Sequence, residues 1–250
     1  MKVLAIIPAR YASTRFPGKP LAMIGDTSMI MRVYYQVKKV KQLHEVIVAT
    51  DDKRIYDHVK MHKGNVIMTS AKHHSGTERC GEVMRKLKKN FDVVINVQGD
   101  EPFIEPQQIR SIIKAFTDSD IDIATLSFRI TNAEEIFNPN VVKVVCNKQK
   151  DAMYFSRNPI PYFRSGKEIA EPVKWLEAFP FQKHIGIYGY KSKTLKKIIQ
   201  LSPVKLEKTE SLEQLRWLHH GYKVRVINTA FESVGIDTPD DFENALLRIQ

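Results

Sequence analysis

Four short apolar runs, at 3–7, 46–49, 66–68 and 93–97, punctuate the first part of the chain, and a segment with helical signals follows each one. Runs of this kind, apolar without alternation, are the pattern of strands buried on both faces. Between the first two runs Ile30, Val33, Tyr34, Val37 and Val40 recur at helical spacing. Asp51 and Asp52 suit the start of the next helix, which should end near Gly64. A helix rich in Arg and Lys is expected over about 78–89, and Pro106 opens another that runs through about Phe116. Strand and helix repeated in this order predict an α/β fold: a mostly parallel, Rossmann-like sheet with helices on both faces. In such sheets ligands bind beyond the carboxyl ends of the strands. The polar loops at 8–20, 70–79 and 98–102 fall at such ends and are expected to converge on one crevice.

The middle of the chain reads differently. Segments 124–130, 141–146, 152–156 and 185–190 look extended, and the polar stretch 147–151 suits a hairpin. Four prolines between 158 and 180 predict a long loop. Together, about 130–190 is expected to be an antiparallel excursion within a single domain covering 1–250. Leu212, Leu215 and Leu218 mark a helix ending at Gly221, and 224–227 is a late strand. The last helix is signposted by Thr238 as cap, Pro239 at its first position and Asp241 completing a capping box.

Several classes fall away on composition. No apolar stretch approaches the ~18 residues that a membrane-spanning helix needs, and the apolar N-terminal run stops at Pro8 and Arg10, too soon for a secretion signal. A cytoplasmic chain with no membrane partner is the expectation. Cys80 and Cys146 are far apart, with no partner at metal-ligand spacing, so reduced thiols are expected. The formal net charge of +11 raises nucleic acid as a partner. The cations are spread along the chain, however, and no nucleic-acid motif accompanies them; clusters such as 85–89 read as solvated helix faces. No nucleic-acid partner is expected.

Positive charge gathers to a purpose in the first loop. Arg10, Ser13, Thr14, Arg15, Gly18 and Lys19 follow a buried strand within a few residues. Guanidinium forks, a lysine point charge, hydroxyls and a permissive glycine are what a triphosphate requires. The loop matches neither the Walker pattern nor GxGxxG. Asp100, just after the strand at 93–97, can hold a hard cation at the crevice, and Mg2+ is typically held by one or two protein carboxylates. Glu101 suits a turn. Asp237 precedes the last helix, whose positive end Asp240 and Asp241 already serve, which leaves Asp237 freer to bind metal. In 73–79 the small residues admit a flat base, and Ser75 and Arg79 could contact it or the phosphates. His73 and His74 alone make a poor zinc site.

Nine segments in order resemble the 3-deoxy-manno-octulosonate cytidylyltransferases (CMP-Kdo synthetases). They are IPARYASTRFPGKP at 7–20, ATD at 49–51, SGTER at 75–79, NVQGDEP at 96–102, FNPNVVKVV at 137–145, YFSR at 154–157, HIGIYGY at 184–190, LEQLR at 212–216 and GIDTPDDFE at 235–243. The resemblance implies the nucleotide-diphospho-sugar transferase fold, with a homodimer joined through the antiparallel excursion. It implies CTP and 3-deoxy-D-manno-octulosonate (Kdo) as substrates and Mg2+ as cofactor, with a place in lipopolysaccharide biosynthesis. By the same resemblance, Arg10, Ser13, Arg15 and Lys19 hold the CTP phosphates, with Lys19, Arg15 and Asp100 serving catalysis. Ser75, Thr77 and Arg79 line the nucleotide pocket, and Gln98 sits between nucleotide and sugar. Arg157, His184, Tyr188, Glu213 and Gln214 surround the sugar acid, and Asp100 and Asp237 bind the metal. Sister enzymes that activate a nine-carbon sialic acid carry a first loop closer to IPARGGSKRIPGKN. Tyr11-Ala12-Ser13-Thr14 therefore favours Kdo. The segment 231–235, where many members have a Pro-Gly turn, departs from the pattern, so the loop bearing Asp237 is expected to take its own path.

Overall fold

The computed structural model describes residues 1–12, 16–164, 172–232, 235–236 and 238–247. Strand β1 (Val3–Ala9) lies at the centre of the sheet. After a short 3-10 turn at Lys19–Leu21, β2 (Met23–Ile24) and β3 (Thr27–Ser28) form a small hairpin leading into α1 (Met29–Lys38). Next come β4 (Glu45–Thr50), α2 (Lys53–Met61), β5 (Val66–Met68), α3 (Gly76–Leu87), β6 (Val93–Asn96) and α4 (Pro106–Ala115). The second half holds β7 (Ile123–Arg129), α5 (Glu134–Phe137), β8 (Lys143–Cys146), β9 (Ala152–Ser156), α6 (Pro172–Ala178) and β10 (Gln182–Lys191). It closes with α7 (Ser192–Ile198), α8 (Lys205–Glu210), α9 (Gln214–His219), β11 (Val224–Asn228) and α10 (Pro239–Leu247).

The main sheet runs β11-β7-β10-β6-β1-β4-β5. All neighbours along this path are parallel except β10, which is antiparallel to both β6 and β7. The α/β, mostly parallel architecture expected from the sequence is therefore present. The hairpin β8–β9 leaves the sheet and touches it again where Lys143 pairs with Lys183 at the start of β10. Segment 182–191 thus re-enters the main sheet. The four prolines of 158–180 do not keep the whole stretch irregular, because Pro172 stands at the first position of α6, where its missing N–H costs nothing.

Alternation along the strands builds two cores. Val3, Ala5 and Ile7 face α1, α2 and α4 on one side, while Leu4 and Ile6 face α3, α7 and α9 on the other. Each of these Val, Leu and Ile side chains, fully buried, contributes about 1.5–3 kcal/mol. The excursion has its own small core of Ile130, Ile136, Trp175 and Phe181. Local signals set the helix starts: Asp52 caps α2 by accepting from the Arg54 amide, and Ser75 caps α3 by accepting from the Glu78 amide. At α10 the Thr238 and Asp241 side chains accept reciprocally from each other's backbone amides, at 3.1 and 2.9 Å. Cys80 is buried and Cys146 half-buried, both as free thiols.

Candidate active site

The crevice is built at the carboxyl ends of β1, β6 and β4. Gly99 is required there by a close approach. A Cβ at this position would lie 2.6 Å from the Pro8 carbonyl, so only glycine lets the loop after β6 rest on the end of β1. That approach carries Asp100 to the loop after β1. Gly18, at φ +75°, turns the loop back, and its amide donates to the Tyr11 carbonyl. Lys19 then enters the short 3-10 turn with its side chain largely buried. Its ammonium donates to Asp100 Oδ2 and to the Ile236 carbonyl, both at 2.7 Å. The Ile236 amide in turn donates to the Asp100 carbonyl at 2.9 Å. Three loops meet at this node. Ser13, Arg15 and Asp237 lie outside the described residues.

Beside the node, Arg10 is exposed, yet partial desolvation first, and the neighbouring charge of Arg79 second, lower its pKa. Two guanidinium groups close enough to repel favour a bound anion. Arg79 itself turns inward: its guanidinium is buried, bonds Thr69 and pairs with Asp51 at 3.1 Å. It braces the loops after β4 and β5 from behind. Tyr11, at the start of the same loop, is stacked under the Arg54 guanidinium, 3.3 Å from its ring centre. Asp52 holds Arg54 with two side-chain hydrogen bonds.

A second, drier cluster adjoins the first. Ser75 and Thr77, at the start of α3, donate to the two oxygens of Glu213 at 2.8 and 2.7 Å. Burial, opposed by those two hydroxyls, raises the pKa of Glu213. The Tyr188 phenol is pushed up by burial and by Glu213 against the opposing pull of Thr125, and its buried hydroxyl makes no well-formed hydrogen bond among the described residues. Buried polar atoms are rarely left so. The Tyr188 hydroxyl and the half-buried Glu213 carboxylate give this cluster its polar lining. His184 is half-buried, packed against Phe155 and Tyr188, and desolvation pushes its pKa down to about 3. It is a neutral hydrogen-bonding group, with Nε2 2.9 Å from Thr125 Oγ1. Gln98 joins the two clusters: its amide donates to the Gly186 carbonyl on β10 at 2.8 Å. Gln214 is buried next to Glu213. Arg157, at the end of β9, is held by the Glu210 and Pro139 carbonyls at 2.7 and 2.9 Å.

The sequence reading passed over Thr125, Lys143 and Lys183. Lys143 is fully buried in β8 and donates to the carbonyls of Asn138, Val141 and Arg157. A lysine inside Val-Val-Lys-Val-Val was the signal, since a cation in an apolar strand must find acceptors.

Asp100 fits a hard cation. It is a carboxylate at a strand's carboxyl end, and its Oδ1 has no hydrogen-bond partner among the described residues. No group of three or more His, Cys, Asp or Glu that could hold a metal gathers among the described residues. No helix among the described residues is long and apolar enough to cross a membrane.

The profile of the cytidylyltransferase family matches residues 4–226, and the chain belongs to that family. Within it, the chain is a member of the 3-deoxy-manno-octulosonate cytidylyltransferases. The enzyme of that name from Parabacteroides distasonis is 55% identical over 98% of this chain and 97% of its own length. Its namesake from Cytophaga hutchinsonii is 51% identical over 100% of this chain and 96% of its own. A solved structure described as CMP:2-keto-3-deoxy-manno-octonic acid synthetase complexed with CTP superposes with a TM-score of 0.91. It is 40% identical and covers 100% of this chain and 98% of its own. A glucose-1-phosphate thymidylyltransferase from Bacillus anthracis, 17% identical with a TM-score of 0.65 over 98% of this chain and 94% of its own, shares the fold.

Proposed function

We propose that this chain transfers CMP from CTP to the anomeric hydroxyl of Kdo, giving CMP-Kdo and pyrophosphate. The observation that carries this reading is the Gln98–Gly186 hydrogen bond of 2.8 Å. It ties the loop of Asp100, where cations gather, to the strand bearing His184 and Tyr188, where a buried polar pocket waits. Nucleotide on one side and sugar acid on the other would then meet across Gln98.

Arg10 and Lys19, with Ser13 and Arg15, hold the triphosphate. Ser75 and Thr77 shape the nucleotide side, and Arg79 braces it through Asp51 and Thr69. Tyr188, Glu213, Gln214 and neutral His184 take the sugar's hydroxyls, and Arg157 supplies the cation for its carboxylate. Positioning and charge neutralisation provide most of the acceleration in phosphoryl chemistry. Lys19 and Arg15 stabilise charge as pyrophosphate departs in line. Asp100 and Asp237 would hold Mg2+, which when bound neutralises phosphate charge and acidifies a coordinated hydroxyl.

The chain acts as one domain over 1–250 and as a homodimer joined through the excursion. Met153, Tyr162 and Val173, exposed by 64%, 72% and 63%, lie in or beside it and support that contact. A cytoplasmic role in lipopolysaccharide biosynthesis completes the reading. Phosphorus NMR of a reaction with CTP, Kdo and Mg2+ tests it. A new phosphodiester resonance together with pyrophosphate is expected, and a mixture that keeps only the three CTP resonances would contradict it.

A further inference from the structure

Arg157, just beyond β9, has almost every polar atom held. Its amide donates to the Glu210 carboxylate at 2.9 Å, and its carbonyl accepts from the buried Lys143 ammonium. Two backbone carbonyls orient the guanidinium: Nε donates to that of Glu210 at 2.7 Å and Nη1 to that of Pro139 at 2.9 Å. The Ser156 hydroxyl donates to the other Glu210 carboxylate oxygen at 2.7 Å. Among the described residues no carboxylate forms an ion pair with the guanidinium, and Nη2 makes no hydrogen bond. A guanidinium oriented by neutral acceptors keeps its charge for an anion from outside.

Glu210 ends α8, and Ser211, at φ 53°, turns the chain towards α9. Three residues after Glu210 comes Glu213, whose oxygens accept from Ser75 and Thr77 at the start of α3. One short turn therefore fixes Arg157 on one side and the start of α3 on the other. The strands close the same space. Lys143 pairs with Ser156 of β9 and with Lys183 of β10, and the Phe155 ring lies 5.1 Å from that of His184. Arg157 is thus tied to the cluster of His184, Tyr188 and Glu213 by a turn and by a strand pair.

We infer that Glu210 is a positioning residue for the sugar acid: it holds Arg157 so that the open edge of the guanidinium receives the acceptor's carboxylate. This inference rests on the reading of Arg157 as the cation for that carboxylate. Glu210 falls between the segments at 184–190 and 212–216, so the family resemblance gives it no role.

The test measures KM for Kdo and KM for CTP by pyrophosphate release with Mg2+, for the full chain and for R157M, E210A and E210Q. The thermal midpoint is measured alongside. A hydrogen bond to a charged group is worth about 10–100-fold in affinity. R157M should raise KM for Kdo by about 100-fold. E210A should raise it about tenfold and leave KM for CTP within about twofold, the mark of sugar binding lost without a general collapse of the site. E210Q keeps the size of the side chain but not the charge that strengthens both of its bonds, so it should fall between E210A and wild type. If E210A fails to fold, E210Q decides the matter. R157M raising KM for Kdo while the folded Glu210 variants match wild type, or shift both KM values alike, would overturn the role of Glu210 and leave that of Arg157 standing. An unchanged KM for Kdo in R157M would overturn both.

Discussion

The ammonium of Lys19 lies 2.7 Å from Asp100 Oδ2, joining the loop after β1 to the loop after β6. The pair is well shielded, with side chains 11% and 32% exposed. It unites the residue assigned to the departing phosphates with the residue assigned to the metal. Removing Lys19 takes from Asp100 the cation at its Oδ2, whereas removing Asp100 still leaves Lys19 the Ile236 carbonyl.

Asp100→Ala should cost at least about 100-fold in turnover, the scale of a principal electrostatic group. Lys19→Met should cost a similar factor. Because the two touch, the double variant should lose less than the sum, with a coupling of about 0.5–3 kcal/mol. Steady-state rates of the four species form the cycle, and strict additivity would show that the two act independently.

Arg79 and Asp51 predict a stability effect in place of a simple binding effect. Arg79→Ala leaves the Asp51 carboxylate and Thr69 hydroxyl without their partner in a buried setting. A loss of about 3–5 kcal/mol in urea unfolding is expected. An unchanged midpoint with weakened CTP binding would instead place the guanidinium on the nucleotide.

Much of this was legible in the sequence, for physical reasons that can be named. Strands buried on both faces advertise themselves as apolar runs, and Asp52, Ser75 and the Thr238–Asp241 pair mark helix starts through local hydrogen bonds. The reversal of β10 could not be read, because strand direction is set by distant partners on β6 and β7. α6 was hidden by Pro172 at its start and the other prolines on either side of it. Arg79 looked like a pocket cation because its partners, Asp51 and Thr69, lie 28 and 10 residues away. Lys183 looked like any strand-end charge until the fold brought Glu135 and Glu232 to it. Roles that depend on pairing across the fold are the ones sequence periodicity does not carry.

His184 gives a pH signature. Burial lowers its pKa from 6.5 to about 3, so the unfolded chain binds the proton more tightly. The stability it contributes is present above pH 6.5 and is lost as pH falls from there towards 3. The slope from this one group approaches about 1.4 kcal/mol per pH unit. His184→Gln should remove that slope between pH 6.5 and 4.5 in urea unfolding series. Parallel curves for the two proteins would mean that the imidazole is already charged in the fold.

Glu213 predicts the opposite sign. Burial raises its pKa above 4.5, so its charge opposes folding once pH exceeds the raised value. Glu213→Gln keeps the shape and removes the charge. It should raise the Tm at pH 8, while turnover falls. The gain should shrink as pH is lowered towards 4.5. A lower Tm at pH 8 would show that Ser75 and Thr77 more than offset the burial of the carboxylate.

The decisive measurement is pyrophosphate release from the purified protein with CTP and Mg2+, with Kdo, with N-acetylneuraminate, and with neither sugar. Release that requires both Kdo and Mg2+ is the predicted result. Release with N-acetylneuraminate alone, or at full rate without metal, would contradict the assignment of the crevice to an eight-carbon sugar acid and of Asp100 to a metal.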